Sequence, residues 1–149
     1  MNSENRGQAR PPLVISQIGR LHKTMFRECD KRLRQLGFPV EMDQIPVFAG
    51  LYYEGGMSQQ DICSKLQRDK ASVNRTVSFL SKKGFAKVVQ DTTDRRKTRI
   101  ELTAIGKELA IQVDAVIKEI ETSLISGLTE KEVQQFSTLI NKIIETSFT

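Results

Sequence analysis

Residues 57–103, MSQQDICSKLQRDKASVNRTVSFLSKKGFAKVVQDTTDRRKTRIELT, constrain the fold more than any other part of this 149-residue chain. Ser58 followed three positions later by Asp61 is a capping pattern, and Met57 is spaced to staple onto Ile62, so a short helix opens here with Ile62 and Leu66 inward. Asp69 is a favoured N-cap whose carboxylate also suits the positive end of a helix dipole. It opens a second helix with Val73, Val77 and Leu80 on its inner face and Gly84 at its end. Residues 85–90 and 98–102 then read as strands, the latter with Ile100 and Leu102 inward, joined by the basic run DTTDRRK. Helix, tight turn, helix and cationic hairpin in that order is the layout of a winged helix-turn-helix.

The charge follows the same boundary. Residues 57–100 hold 11 Lys and Arg against 4 Asp, a net of +7 in a chain whose total is +5, so the remainder sums to −2. Positive charge concentrated this way is the footprint expected over nucleic-acid phosphates. The outward residues of the second helix are Lys70, Ala71, Ser72, Asn74, Arg75, Thr76 and Ser78. A merely solvated helix face more often carries long Glu and Lys pairs. Small polar side chains with one arginine suit close approach to base edges and phosphates in a major groove. Ser58 and Gln59, at the start of the preceding helix, join Lys70, Ser72, Asn74 and Arg75 as expected DNA contacts. At the hairpin tip Asp91 and Asp94 precede Arg95, Arg96 and Lys97. A solvated tip is where charges usually collect. Directly after a recognition-type helix, the pattern instead reads as Asp94 bracing the loop while an arginine enters a minor groove.

The rest of the chain is helical in pattern. Residues 1–10 are polar and expected to be a disordered tail. Pro11 and Pro12 mark a helix start, and Ile15, Ile18, Leu21, Met25, Cys29, Leu33 and Leu36 recur every three or four residues up to Gly37. A second helix is expected over residues 42–54, burying Ile45, Phe48, Leu51 and Tyr52, with Pro46 near its first turn. After the hairpin, Thr103 caps a helix running to about Ile125, and Thr129 with Glu132 forms a capping box for a last helix carrying Val133, Phe136, Leu139, Ile140, Ile143, Ile144 and Phe148. From Ala104 onward 4 Lys face 7 acidic residues, so this end is not a DNA surface. The fold class is therefore mainly α with a small β-hairpin wing: a winged helix-turn-helix at 38–103 flanked by helices at 11–37 and 104–149. The apolar faces of those flanking helices pair within one subunit or with a second copy. A homodimer is favoured, because two-fold symmetry lets one helix per subunit read each half of a palindromic double-stranded site, about 34–36 Å apart.

Other classes fit poorly. Trp is absent and aromatics make up 6% of residues, which argues against a single-strand binder built on stacking. No apolar run approaches the ~18 residues needed to span a bilayer, and the polar N-terminus lacks a secretory h-region, so no membrane partner and a cytoplasmic location are expected. Cys29 and Cys63 match no zinc or redox spacing, and His22 is the sole histidine. No metal, cofactor or catalytic residue is expected, and the chain is not read as an enzyme. The two thiols read as core residues, with an oxidation sensor at Cys29 as the alternative.

The run MSQQDICSKLQRDKASVNRTVSFLSKKGFAKVVQDTTDRRKTRIELTAIGKEL resembles the winged-helix core of the MarR (multiple antibiotic resistance regulator) transcription factors. The likeness lies in the helix opening at Ser58, the DKASVNRTVSFLSKKGF helix, the Asp-x-x-Asp-Arg-Arg wing and the LTxxGK start of the next helix. It implies an obligate homodimer built from the first and last two helices. It also implies repression, relieved by a small aromatic or lipophilic effector or by thiol oxidation. Carried over, Arg75 matches the arginine that reads the major groove, with Ser72, Asn74 and Lys70 as its neighbours. Asp94 and Arg96 match the wing aspartate and the minor-groove arginine, flanked by Arg95 and Lys97. Two departures are Thr92, where a proline is common, and Cys29, which lies well inside its helix rather than near the start. An effector pocket is expected where the first, second and fifth helices meet the winged unit, lined by Met25, Phe48 and Tyr52. A winged-helix protein-interaction adaptor is the alternative from another class, although such an adaptor is expected to lose both the basic wing and the small polar helix face.

Overall fold

The computed structural model describes residues 13–147. The expected tail, the Pro11-Pro12 helix start and Phe148 lie outside those residues. The elements are α1 (Val14–Gln35), α2 (Ile45–Glu54), α3 (Gln59–Leu66), α4 (Lys70–Lys82), β1 (Ala86–Gln90), β2 (Thr98–Leu102), α5 (Ala104–Ile125) and α6 (Glu130–Ser147). The winged helix-turn-helix with long helices at either end is thus the observed architecture. α2 starts at Ile45 rather than at 42. Pro46 lacks an N–H and is tolerated only in a first turn, which sets the start of the helix.

The core lies inside the winged unit. Val47, Phe48 and Leu51 of α2, Ile62 of α3, Val73 and Leu80 of α4, Phe85, and Ile100 and Leu102 of β2 are all buried, and Leu109 and Val113 of α5 close over them. Burying a side chain the size of Phe48 contributes about 1.5–3 kcal/mol. Its ring centroid lies 6.5 Å from that of Phe85, within the range of favourable tilted pairs. Ile45 and Tyr52, expected to be buried, are only half-buried. Thr76, expected to face outward, is 4% exposed. It sits three residues after Val73 and four before Leu80, so the inner stripe of α4 passes through it.

An isolated two-stranded hairpin is marginal in water, and this one is held on two sides. β1 and β2 pair antiparallel, with Ala86 opposite Leu102 and Gln90 opposite Thr98. On its other edge β2 bonds the α2–α3 link, Met57 N–H to the Ile100 carbonyl at 3.0 Å and Ile100 N–H to the Met57 carbonyl at 2.8 Å. Gly56 precedes that bridge at φ +124, where a Cβ would come within 2.8 Å of Glu101 Cγ.

The base of the hairpin is clamped to α5. Thr103 N–H donates to the Phe85 carbonyl at 3.0 Å. The Thr103 hydroxyl donates to the Gly84 carbonyl at 2.6 Å and accepts from Gly106 N–H at 3.1 Å, capping α5. Gly106 lies so close to the Phe85 backbone that a Cβ there would sit 2.0 Å from its carbonyl oxygen. That explains the Thr and the Gly of the LTxxGK run in steric terms.

The end helices are less covered. α1 buries only Cys29 and Leu33, and packs on α5. α6 buries no residue along its described length, although its capping box forms as expected, with Thr129 N–H 2.8 Å from Glu132 Oε2.

Replacing Gly106 by Ala drives a Cβ into backbone that has no flexible end to yield. The expected outcome is a loss of about 3 kcal/mol or more, read as a shifted urea midpoint, whereas Gly127→Ala, with nothing within 4 Å of the added Cβ, stays near wild type. Equal midpoints for the two variants would disprove the clamp.

Candidate nucleic-acid interface

The surface formed by α3, α4 and the wing is organised by local hydrogen bonds. Ser58 caps α3 in a closed box: its hydroxyl accepts from Asp61 N–H at 3.1 Å and donates to Asp61 Oδ2 at 2.6 Å, and its own N–H reaches the same oxygen at 3.3 Å. These bonds hold the Asp61 carboxyl below its usual range. Gln59 Nε2 donates to Asn74 Oδ1, tying the first turn of α3 to the middle of α4. On α4 itself, Asp69 Oδ1 accepts from Ser72 N–H at 2.8 Å as the N-cap. Lys70, Asn74 and Arg75 are exposed, while Ser72 is half-buried and its hydroxyl accepts from the Arg68 guanidinium.

The wing tip is a small self-closed loop. Asp91 N–H donates to the Lys97 carbonyl at 2.9 Å, and Lys97 N–H to the Asp94 carbonyl at 2.9 Å. The Asp91 carboxylate accepts from Thr93 N–H at 2.8 Å, from the Thr93 hydroxyl and from Asp94 N–H at 3.1 Å. The Asp94 carboxylate accepts from Arg96 N–H at 3.0 Å. The bracing expected of Asp94 alone is therefore shared, with the larger part at Asp91. A signal for this stands in the sequence, since an aspartate two residues before a threonine favours an Asx-type turn. Arg95, Arg96 and Lys97 are all exposed at the tip. Arg99, which sequence reasoning passes over, donates from Nη2 to the Gly56 carbonyl at 2.8 Å and so ties the wing to the α2–α3 link. Between the wing and the first turn of α3 runs an open trough of about 720 Å³, with Ser58, Gln59, Arg96, Lys97 and Arg99 on its walls. The geometry thus brings Ser58, Gln59, Arg96 and Lys97 around one concave surface, with Asn74 bonded to Gln59 and with Lys70 and Arg75 exposed on α4.

Residues 40–98 match the MarR family model. Over 90% of this chain and 98% of the other, the fold superposes on S. aureus MepR in its complex with DNA, at a TM-score of 0.79 and 26% identity. Over residues 40–98 the chain is similar to MarR-family winged-helix proteins. Across 137 residues it is 25% identical to the HTH-type transcriptional regulator BilQ of Clostridium symbiosum, covering 89% of this chain and 94% of that protein. A mutant E. coli MarR complexed with operator DNA shares the fold at a TM-score of 0.70 and 20% identity, over 87% of this chain and 94% of the other.

A second concavity lies between α2 and α5. It is a cleft of about 70 Å³ walled by Phe48, Tyr52, Val113 and Ile117, with Asp114 at its rim. Tyr53 donates its hydroxyl proton to Asp114, which also meets Lys118 Nζ at 2.7 Å. Phe48 and Tyr52 line this cleft, and Met25 does not. α1 buries only Cys29 and Leu33, toward its C-terminal end, which leaves Met25, one turn earlier, 42% exposed. Cys29 is buried, and burial, with the neighbouring Glu28 carboxylate, pushes its thiol up from the ordinary value. Both effects disfavour the thiolate that an oxidation sensor needs. No described helix is long and apolar enough to cross a membrane.

Its three hydrogen bonds pull the Asp91 carboxyl down from 3.8 to about 2. A depressed folded-state value means that wing order is fully present above about 3.8 and is lost as pH falls through about 2. In an acid titration followed by NMR, the Thr93 and Asp94 amides are expected to shift with a midpoint near 2, and Asp91→Asn should abolish that step. A midpoint near 3.8 would contradict the bracing role.

Proposed function

We propose that this chain is a dimeric, sequence-specific DNA-binding transcriptional regulator, acting as a repressor released by a small aromatic or lipophilic ligand. The observation that carries the reading is the joint exposure of Lys70, Asn74 and Arg75 on α4 and of Arg95, Arg96 and Lys97 on the wing, all within the segment of concentrated positive charge. α4 has the size and polarity to enter a major groove while the tip arginines meet the adjacent minor groove. The likeness to MepR, solved with DNA, supports the same docking.

Dimerisation through residues 11–37 and 104–149 rests on unpaired apolar surface. Val14, Ile15 and Ile18 of α1 are exposed, as are Phe136, Leu139, Ile143 and Ile144 of α6. A second subunit laid over α1 and α6 covers these apolar side chains, and patches of this kind are rarely left in water. Two copies then set two α4 helices against two half-sites of a palindrome.

Ligand release rests on the α2–α5 cleft, whose walls come from the winged unit on one side and an end helix on the other. At about 70 Å³ it is smaller than the ~300 Å³ that ligand pockets commonly offer. An effector must therefore part α2 from α5 to enter, and binding to that opened form alone shifts the spacing of the two α4 helices. Phe48 and Tyr52 favour an aromatic guest. The exposed cations of α4 and the wing weigh against a protein-interaction adaptor.

The test uses duplexes selected in vitro from random DNA. Arg75→Ala is expected to cost about 1–3 kcal/mol and to relax discrimination at one base pair per half-site. Arg96→Ala should reduce the magnitude of the log-affinity against log-salt slope by about 0.9 for each phosphate left without its cation. A wild type that enriches no sequence refutes the reading.

Leu139→Glu combined with Ile143→Glu should convert a dimer to monomers in sedimentation velocity. Native protein sedimenting as a compact monomer would rule the dimer out.

A further inference from the structure

The turn between α3 and α4 contains an arginine whose guanidinium is engaged from both sides inside the protein. Gln67 ends α3 in the left-handed region at φ +49, and Arg68 N–H then bonds back to the Cys63 carbonyl at 3.1 Å, which fixes where the Arg68 side chain starts. From there Nη1 donates to the Asp43 carbonyl at 2.6 Å, in the loop that leads into α2. Nε and Nη2 both donate to the Ser72 hydroxyl oxygen, at 3.1 and 2.5 Å. A hydroxyl oxygen has two lone pairs, and Arg68 occupies both. Ser72, which the sequence marks as a DNA contact, has no acceptor capacity left for a base amino group. Its backbone N–H is likewise taken by Asp69, which leaves Ser72 only its hydroxyl proton to donate.

We propose that Arg68 is a positioning residue for DNA recognition. It holds the first turn of α4 at a fixed angle to α2 and α3, and Ser72 is its anchor rather than a reader of bases. This rests on the reading that α4 faces DNA. A planar guanidinium suits the task because its N–H groups leave in fixed directions: one edge grips Ser72 while the opposite nitrogen reaches the α2 loop, so neither helix can tilt without breaking a bond. A lysine ammonium is a single point on a flexible stem and cannot hold both partners at once. The residues that meet DNA, Asn74 and Arg75, follow Ser72 by two and three positions on the same rigid helix. A tilt at the first turn therefore moves their side-chain ends across base edges, while wing and backbone contacts, being electrostatic, tolerate it.

The experiment compares wild type, Arg68→Met, Arg68→Lys, Ser72→Ala and the Arg68→Met/Ser72→Ala pair. Each is titrated with the in vitro selected duplex and with a scrambled duplex of the same length, over a range of salt. Arg68→Met and Arg68→Lys are expected to lower the preference for the selected duplex about tenfold, the scale of removing a hydrogen bond to a charged group. Affinity for the scrambled duplex and the salt slope should stay at wild-type values. Ser72→Ala should reduce the preference by a similar factor, and the double variant by no more than the worse single one, since each removes the same brace. Arg68→Lys and Ser72→Ala, being mild, keep the test open if Arg68→Met does not fold. The proposal is overturned if both duplexes weaken together with a shallower salt slope, which makes Arg68 a phosphate contact. It is overturned equally if the two single effects multiply in the double variant, or if every variant keeps wild-type preference. A wild type without sequence preference removes the regulator reading itself, and the role of Arg68 with it.

Discussion

The closure of the hairpin base onto α5 is the constraint from which the rest of the architecture follows. Gly84 and Phe85 end the α4 segment, Thr103 and Gly106 begin α5, and the contact between them admits no side chain at Gly106. Everything between these points must leave and return through one narrow base, so a two-stranded excursion is the simplest solution. The same contact seats Leu109 and Val113 of α5 over the core that Phe48 and Phe85 share. It thereby sets the direction in which the long helix leaves the winged unit.

Local chemistry is legible in the sequence, and long-range chemistry is not. The caps at Ser58, Asp69, Thr103 and Thr129 involve partners three residues away, and each forms as spaced. The antiparallel strands and the inward Ile100 and Leu102 follow from alternation. Thr76 is misplaced by a reading that lets polarity outweigh helical phase. Met25 is misplaced because an apolar stripe says that a face is covered without saying by what, and the covered part of α1 is its C-terminal end. Arg68 and Arg99 act on backbone carbonyls 25 and 43 positions away. Neither contact leaves a trace in spacing or composition.

The chain also separates two kinds of surface. The winged unit keeps most of its large apolar residues inside, Tyr53 and Val88 excepted, and shows cations and amides. The end helices do the reverse, with exposed Ile, Leu and Phe on α1 and α6 and a net acidic balance after Ala104. Coulombic repulsion disfavours phosphate at the acidic segment, so the cationic and the apolar surfaces stand on different elements of the fold. The α2–α5 cleft lies where these two parts meet.

The wing tip has a consequence for how such proteins diversify. Residues 91–97 satisfy their own turn: Asp91 and Lys97 close the loop through the backbone, and Asp91 and Asp94 supply the side-chain acceptors. The bonds that shape this tip begin and end within it. A loop that carries its own scaffold is a cassette, and its cationic side chains can be exchanged, lengthened or transplanted without renegotiating the fold beneath it. The side chains of the wing tip are thus free to change at a pace that the closely packed base, fixed by a single absent Cβ, cannot share.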